Sequence, residues 1–408
     1  ENFWQPLKGW WNDMKIRGSY GSLGNQVMDD LGNFPYLATY GTNSSYNYLI
    51  NGSKPVIVKA PGLVAPDFTW ETVTQMDFGF DASFLNNRLT GTFDWYRRNT
   101  KDMLVAGATL PATLGASVPK SNSADMKTIG WELSLGWNDR LENGFSYWVK
   151  GVLSDYQATI TKYAGNDAGF YSQSDDDGKY YVGQKIGEIW GYHSNGLFQS
   201  DDEAATIDQS ELYAGKWGAG DVKYEDLDND GKITKGEETI YNPGDKSIIG
   251  NKTPRYQFGI TVGFDYKNFD FEMFWQGTGK RDYMLSGAQF WGFTSQWDVP
   301  YTPALDYWTE TNTDAYFPRP GWQNGGNRVT SDRYLQSAAY GRLKNLTVGY
   351  TIPKNLTTKW GISRLRLYVT GENLLTITPL NDAFDPETLG GMTYPINRKV
   401  AIGLNLTL

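Results

Sequence analysis

YQFGITVGFDY, residues 256–266, carries an apolar or aromatic side chain at every even position and a polar residue or glycine at every odd one. The same alternation runs through MDFGFDASF at 76–84, IGWELSLGW at 129–137 and IGLNLTL at 402–408. Successive side chains of a β-strand point to opposite faces, so each segment predicts a strand with one apolar side and one polar side. Helical periodicity is nearly absent, and the pattern therefore predicts an all-β protein.

Ten such strands are predicted, and most of them contain 11 to 18 residues. Strands of soluble sheets usually have ~5–6 residues, whereas a tilted strand needs ~9–11 residues to cross the hydrocarbon of a bilayer. The strand lengths therefore favour a membrane. The predicted strands span 14–24, 71–85, 88–102, 126–138, 145–162, 255–267, 269–284, 337–352, 364–376 and 396–408.

The connections between these strands alternate in length. Those after strands 2, 4, 6 and 8 are short, whereas those after the odd-numbered strands are long and reach some 90 residues between 163 and 254. This alternation is typical of an outer-membrane barrel with tight periplasmic turns and long extracellular loops. The sequence predicts a transmembrane antiparallel β-barrel, with large extracellular loops at about 163–254 and 285–336.

The composition excludes several other classes of protein. The 408 residues include 62 aromatic residues and 46 glycines, but no cysteine and one histidine, His193. Cysteine nucleophiles, disulfide scaffolds and cysteine zinc sites are thereby excluded, and a Ser-His-Asp site would have to use His193. We interpret this residue as packed or hydrogen-bonded rather than catalytic. The net charge of −9 argues against nucleic-acid binding, because an acidic surface repels phosphates.

The chain begins at Glu1 without an initiator Met, so we expect it to be a fragment or a processed product. A barrel in lipid has to close, because an unpaired strand edge there leaves peptide groups without hydrogen-bond partners. The first predicted strand therefore needs a neighbour supplied by upstream sequence or by another chain.

Eight segments, taken in order, carry a family resemblance. They are WWNDMKIRGSYGSLGNQ (10–26), QMDFGFDASFLNNRLTGTFDWYRRNTKDML (75–104), GEIWGYHSNGLFQSDDE (187–203), GDVKYEDLDNDGKIT (220–234), DYWTETNTDAYFPRP (306–320), YGRLKNLTVGYTIPKNL (340–356), GISRLRLYVTGENLLT (361–376) and FDPET (384–388). Together they resemble the SusC/RagA family of TonB-dependent outer-membrane transporters of Bacteroidetes.

The resemblance implies that 1–408 is the C-terminal portion of a 22-strand barrel, with about its last ten strands and without the N-terminal plug. It implies an importer of oligosaccharides or peptides, working with a SusD-like surface lipoprotein as a lid and with the TonB complex through the missing N-terminal region. It is compatible with a dimer of transporter–lid pairs. The alternative is a secreted all-β carbohydrate-binding or glycan-hydrolysing protein. No catalytic, cofactor-binding or substrate-binding residue is assigned.

The sharpest local motif predicts a structural Ca²⁺ site at 226–237. Calcium takes six to eight oxygen ligands, and a 12-residue loop supplies them at positions 1, 3, 5, 7 and 12, with a glycine at position 6 for the turn. Gly231 occupies position 6. An acidic run at 175–178 lacks the later ligands and is interpreted as a solvated turn. The predicted ligands are Asp226, Asp228, Asp230, Lys232 through its backbone carbonyl, and Glu237.

Aromatic residues and glycines allow two interpretations each. The strand residues Trp95, Trp131, Trp137, Trp148 and Trp275 are expected at membrane interfaces or in the lumen. Exposed rings in the loop 285–336 can stack on sugars, but packing against a partner or within the loops is favoured. Glycines on the polar side of the strands would widen the lumen, admit a plug closely or mark bulges.

Overall fold

The computed structural model describes residues 10–25, 34, 36–43, 49–58, 61–66, 68–106, 111, 113, 118–171, 180–389, 394 and 396–408. Within these residues the chain is dominated by one antiparallel sheet of ten strands. No helix among them is long and apolar enough to cross a membrane.

The ten strands follow one another through the sheet in chain order, so that each pairs with the next one in sequence. All ten overlap predicted strands and contain between 9 and 21 residues, although the fourth, predicted over 126–138, begins six residues earlier at Lys120. The predicted all-β architecture is therefore confirmed. The strands are β1 (Trp11–Asn25), β2 (Glu71–Phe84), β3 (Leu89–Ala106), β4 (Lys120–Arg140), β5 (Ser146–Tyr163), β6 (Arg255–Tyr266), β7 (Phe269–Lys280), β8 (Tyr340–Thr351), β9 (Arg364–Ile377) and β10 (Lys399–Thr407).

The seventh and eighth strands end earlier at their loop ends than the alternation predicts. β7 stops at Lys280 and β8 begins at Tyr340, and the residues beyond them form a separate pair of short strands, Asp282–Met284 with Leu335–Ser337. The alternation of apolar and polar residues continues from β7 and β8 into these short strands, so periodicity alone does not show where the long strands end. The chain therefore leaves the ten-stranded sheet after β7, forms this separate two-stranded sheet, and rejoins the large sheet at β8.

Further short elements lie in the connections. The short strands are Thr42–Asn43, Ile57–Val58, Glu188–Tyr192, Ser194–Leu197, Val222–Tyr224 and Lys246–Asn251. The α-helices are Asp201–Ala204, Ala288–Trp291 and Lys354–Thr357, and the 3₁₀ helices are Thr302–Leu305, Gly325–Arg328 and Thr358–Trp360.

The register gives the sheet one apolar face and one polar face. Phe78, Trp95 and Trp131 stand opposite one another on β2, β3 and β4, while the next residue of β2, Gly79, faces Asp94 on β3. Of the five predicted strand tryptophans, Trp148 alone projects from the polar face, beside Gly263. Apolar residues thus cover one continuous face of the wall that these ten strands form.

Charged residues on the polar face are joined across strands. Arg17 on β1 forms ion pairs of 2.8 Å with both Asp81 on β2 and Asp94 on β3. On the same face, near the other edge of the sheet, Arg366 on β9 binds Asp270 on β7 through two hydrogen bonds. These pairs link strands that do not all touch through their backbones, and so they brace the polar face.

Glycines of the polar face are covered by side chains from neighbouring strands. A Cβ atom at Gly263 would lie 2.2 Å from the ring of Trp148, and one at Gly403 would lie 2.3 Å from that of Tyr368. Gly130 would meet Tyr96 at 2.5 Å. At these positions the missing side chain makes room for a ring that lies across the strand, rather than widening the lumen.

Three of the long connections fold together at one end of the wall around a shared hydrophobic interior, here called the loop core. Its buried side chains come from three connections, 164–254, 281–339 and 378–398. Phe290 packs edge-on against Phe317 with ring centroids 5.1 Å apart. The loop core comprises Tyr192, Leu197, Val222, Tyr224, Ile233, Leu285, Phe290, Trp291, Ala304, Trp308, Ala315, Phe317, Tyr334, Ala338, Leu380, Phe384 and Leu389.

Polar contacts also join these connections. The buried carboxylate of Asp221 accepts hydrogen bonds from Arg319 at 3.0 Å and from Asn327 at 2.8 Å, both from the connection 281–339. The Thr378 hydroxyl donates to the carbonyl of Ala339 at 2.8 Å. These hydrogen bonds join the connections 164–254 and 378–398 to the connection 281–339, and together with the shared loop core they make the three connections one assembly.

Candidate metal site in the loop assembly

The predicted Ca²⁺ loop forms a tight turn whose amides point at its own carboxylates. Asn229 and Gly231 adopt positive φ angles of 61° and 85°, which reverse the chain within a few residues. The Gly231 amide donates to Asp226 Oδ2 at 2.8 Å, and the Lys232 amide donates to Asp230 Oδ1 at 2.8 Å. The turn thus gathers acidic oxygens around one point before any ion is considered.

Three carboxylates meet at this turn. One oxygen each of Asp226, Asp228 and Asp245 lies within 4.8 Å of the other two. Asp245 is fully buried, and its two oxygens accept hydrogen bonds from the amides of Leu227 at 2.8 Å and Thr234 at 2.7 Å. These oxygens are hard donors of the kind that Ca²⁺ prefers, and each retains a further lone pair.

The structure brings some of the predicted ligands together and leaves others apart. Asp226 and Asp228 belong to the cluster, whereas Asp230 and Glu237 are not among the carboxylates that meet there. Lys232 pairs through its backbone with Asp208 in an isolated bridge. The Glu237 amide donates to the carbonyl of Asn242 at 3.0 Å. The acidic run at 175–178 lies outside the described residues.

Asp245 is the residue that sequence reasoning missed. It follows Glu237 by eight positions, after a turn in which Gly236 and Gly244 approach so closely that a Cβ on Gly236 would lie 2.4 Å from the Gly244 amide nitrogen. The 12-residue spacing cannot anticipate a carboxylate that lies outside the 12 residues of the motif. The sequence feature that could have indicated Asp245 is the pair Gly236 and Gly244, because two glycines that allow close backbone approach permit the chain to fold back toward the motif.

The pKa values of Asp226 and Asp228 differ from those of isolated carboxyl groups, and they shift in opposite directions. Partial burial acts to raise the pKa of Asp226, yet hydrogen bonds from backbone amides, that of Gly231 first, leave it below its ordinary value. Burial raises the pKa of Asp228, and the negative charges of Asp230 and Asp245 raise it further. A cation bound at this point would relieve the crowding of like charges around Asp228.

The turn is anchored to the loop core. Ile233, at position 8 of the motif, is buried in that core, and its amide donates to the carbonyl of Asp208 at 2.7 Å. An ion held at 226–245 would therefore tie a surface turn to the packed interior of the loops.

His193 forms a hydrogen-bonded chain that the sequence did not reveal. Its Nδ1 lies 2.8 Å from Asp332 Oδ2 and its Nε2 lies 2.7 Å from Ser247 Oγ. The Ser194 amide donates to the other Asp332 oxygen at 3.0 Å. Ser247 lies opposite Gly191 in an antiparallel strand pair. The chain joins the connections 164–254 and 281–339, which agrees with the prediction of a hydrogen-bonded histidine.

The aromatic loop residues fall into two groups. Trp291 and Trp308 are buried in the loop core, whereas Trp297 is 83% exposed and Trp322 is 45% exposed. The Arg328 guanidinium donates to the carbonyls of Phe293 and Trp322, and the residue lines a small cleft of about 20 Å³. Packing within the loops thus accounts for one group, and the other remains at the surface.

Comparisons with known proteins define the class. The fold is similar to that of the RagAB peptide transporter, with a TM-score of 0.75 and 22% identity over 98% of this chain and 41% of that one. Residues 3–374 match the family described as "TonB dependent receptor-like, beta-barrel". The chain therefore belongs to this family of outer-membrane barrels.

Named relatives lie within the same class. TonB-dependent receptor P3 of Formosa agariphila is 29% identical over 96% of this chain and 39% of that receptor. TonB-dependent receptor SusC of Bacteroides thetaiotaomicron is 26% identical over 97% of this chain and 37% of that receptor. The chain spans about two fifths of the length of these relatives.

The family consists of receptors and transporters rather than enzymes, which agrees with the prediction that this chain is not an enzyme. The resemblance to SusC/RagA transporters is confirmed by the same comparisons. The alternative of a secreted carbohydrate-binding or glycan-hydrolysing protein does not agree with membership of an outer-membrane barrel family.

Proposed function

We propose that this chain is the C-terminal barrel portion of a TonB-dependent importer that takes up oligosaccharides or peptides. The observation that carries the proposal is the family match across the wall, combined with three long connections that fold into one assembly at a single end of it. The wall would pass through the outer membrane with the loop assembly outside the cell, and upstream sequence would supply the remaining strands, the plug and the segment that reaches the TonB complex.

We further propose that the loop assembly meets a SusD-like surface lipoprotein acting as a lid. The supporting relatives are SusC and the RagAB transporter, and RagAB is named as a peptide transporter. Exposed rings such as Trp297 and Trp322 suit a partner surface, because tryptophan is enriched at the centres of protein interfaces. A dimer of transporter–lid pairs is part of this proposal.

The test is uptake by cells of the native host that lack the full-length gene. We expect the complemented strain to take up either a labelled oligosaccharide or a labelled oligopeptide, and to lose that uptake when TonB is deleted. Affinity purification through this chain in detergent should also recover a lipoprotein. Uptake that persists without TonB would contradict the proposal.

We also propose that Asp226, Asp228 and Asp245 hold a structural Ca²⁺ ion, with Asp230, the Lys232 carbonyl and Glu237 as the remaining sequence-predicted ligands. Support comes from the three converging carboxylates and from the buried position of Asp245. The ion would stiffen the turn between two parts of the connection 164–254.

Calcium titration of the purified full-length protein tests this site. Asp245→Asn should weaken Ca²⁺ binding by roughly tenfold or more, because it removes one of the converging charges. Asp202→Asn is the matched control and should leave the affinity unchanged, since this exposed carboxylate belongs to the same connection but to neither the cluster nor the proposed ligands. Equal affinity of the wild type and Asp245→Asn would contradict the assignment of Asp245.

A further inference from the structure

The end of the wall opposite the loop assembly carries a band of aromatic rings, here called the turn collar. Its rings pack on one another along the apolar face: Trp11 stacks on Phe84 at 5.4 Å and Phe264 stacks on Phe271 at 5.1 Å. The turn collar comprises Trp11, Phe84, Trp137, Phe145, Tyr147, Phe264, Tyr266, Phe269, Phe271 and Tyr350.

Members of the turn collar combine apolar rings with polar edges. The Trp137 indole donates to the Tyr147 hydroxyl at 3.2 Å, and both side chains belong to the apolar face. Tryptophan and tyrosine concentrate at the level of lipid headgroups, where one end of the side chain is apolar and the other is wet. The turn collar therefore marks the depth at which headgroups meet this end of the wall.

Basic side chains surround the turn collar. The connections 85–88, 141–145, 267–268 and 352–363 contain four basic residues and one acidic residue, Glu142, and the flanking positions of β4 and β9 add two arginines. In contrast, the connection 164–254 contains 18 acidic and eight basic residues. The exposed cations of the turn end are Arg88, Arg140, Lys267, Lys354, Lys359 and Arg364.

Two of these cations lie on rings of the turn collar. The Arg88 guanidinium is 5.8 Å from the centre of the Trp137 ring, and the Lys267 ammonium is 5.1 Å from that of Tyr266. Arg88 also pairs with Asp139 at 3.2 Å, whereas Lys267 forms no ion pair within the described part of the chain. Both charges are thus held on the lipid side of the wall, beside rings at headgroup depth.

We infer that the turn collar binds the anionic headgroups of glycerophospholipids in the leaflet that it contacts, with Arg88 and Lys267 as phosphate-binding residues. Each exposed cation near a membrane surface attracts anionic lipid, and the rings fix the depth at which it does so. The acidic connection at the opposite end lacks this complementarity, so the lipid preference belongs to one end of the wall. The inference rests on the proposed orientation for the identity of the leaflet, which is the periplasmic one.

The test is lipid binding by the purified full-length transporter, measured by native mass spectrometry with phosphatidylglycerol and with phosphatidylethanolamine. Wild-type protein should retain phosphatidylglycerol preferentially. The double variant Arg88→Gln/Lys267→Gln should bind it about three- to tenfold more weakly, because two headgroup contacts are removed and that of Arg88 is partly offset by Asp139. The charge-preserving variant Arg88→Lys/Lys267→Arg should restore most of the binding.

Lys185→Gln/Lys216→Gln is the matched control, since it removes two exposed cations from the connection 164–254. An equal loss of phosphatidylglycerol in this control would overturn the inference, as would unchanged binding in Arg88→Gln/Lys267→Gln. Each variant is first checked for folding: an unheated sample that migrates faster in SDS than the boiled sample of the same variant contains a folded barrel. The readout needs no substrate, so a failure of the proposed import would leave it unaffected.

Discussion

Large apolar side chains are exposed on the wall and buried in the loop assembly. On the wall, large apolar residues of the interior strands point away from the protein: Phe78 is 50% exposed and Leu135 is 48% exposed. In the loop assembly, Phe290 and Tyr334 have no exposed surface. The solvent explains the contrast, because lipid accepts apolar surface whereas water drives it together.

The contrast also separates the sources of stability. The wall is held by backbone ladders between ten strands and by polar-face ion pairs such as that of Arg17 with Asp81. The loop assembly has short strands and relies on burial of aromatic rings around a common core. Perturbing one region should therefore leave the other in place, and each of the following changes tests that separation.

The largest effect is expected from a cavity in the loop core. Phe290→Ala should destabilise the loop assembly by about 3–5 kcal/mol, because a fully buried ring is lost from a packed cluster. Pulse proteolysis across a urea series would measure the change, while the heat-dependent migration of the barrel in SDS should persist. Phe78→Ala on the apolar face is the control, with a smaller effect on loop stability. Equal loop destabilisation in both variants would contradict the separation.

A smaller effect is expected in the wall when a covered glycine gains a side chain. Gly263→Ala places a Cβ atom against the Trp148 ring and should destabilise the barrel by about 1–3 kcal/mol. The temperature at which the barrel loses its compact migration in SDS would report the change. Gly151→Ala, where nothing lies within 4 Å of the added atom, should leave that temperature nearly unchanged.

Removing the histidine that joins two connections should have a more modest effect. His193→Phe breaks the hydrogen bonds to Asp332 and Ser247, each worth about 1 kcal/mol at the surface of the assembly. Proteolytic nicking of the connection 281–339 should become faster, while the barrel temperature in SDS stays constant. Ser247→Ala should produce only part of the change, because the bond to Asp332 survives; a larger change than His193→Phe would argue against the chain of bonds.

The smallest effect concerns pH. A hydrogen bond from the backbone N–H of Gln199, followed by the ion pair with Lys223, lowers the pKa of Glu203. The stabilisation from the ionised Glu203 carboxylate is therefore complete above the ordinary pKa near 4, and it is lost as the pH falls through the lowered pKa. Loop melting temperatures followed by tryptophan fluorescence from pH 7 to 3 should fall less steeply in Glu203→Gln. Asp202→Asn, at an exposed position, should follow the wild-type curve.

The strands could be predicted from the sequence because their pattern is local. Alternation places Phe258, Ile260 and Val262 on one face whatever the rest of the chain does, and the bounds of β6 follow within a residue. The early ends of β7 and β8 could not be predicted, since alternation continues beyond both.

The site depended on contacts between distant residues. Asp226 and Asp228 followed from their spacing, but Asp245 enters from a separate turn, and Asp332 reaches His193 across 139 positions. Trp291 and Trp297 are chemically identical and six positions apart, yet one is buried and the other is exposed. Sequence pattern carries no information on which ring finds a partner in another connection.

The shared interior of the three connections restricts how this surface can diversify. Phe290, Tyr192 and Phe384 come from different connections but belong to one packed core, so a substitution in one loop changes what the other two can accept. Loops with separate interiors could be exchanged between relatives one at a time. Here, recombination that alters the outer surface has to transfer all three connections together, and the assembly is inherited as a single unit.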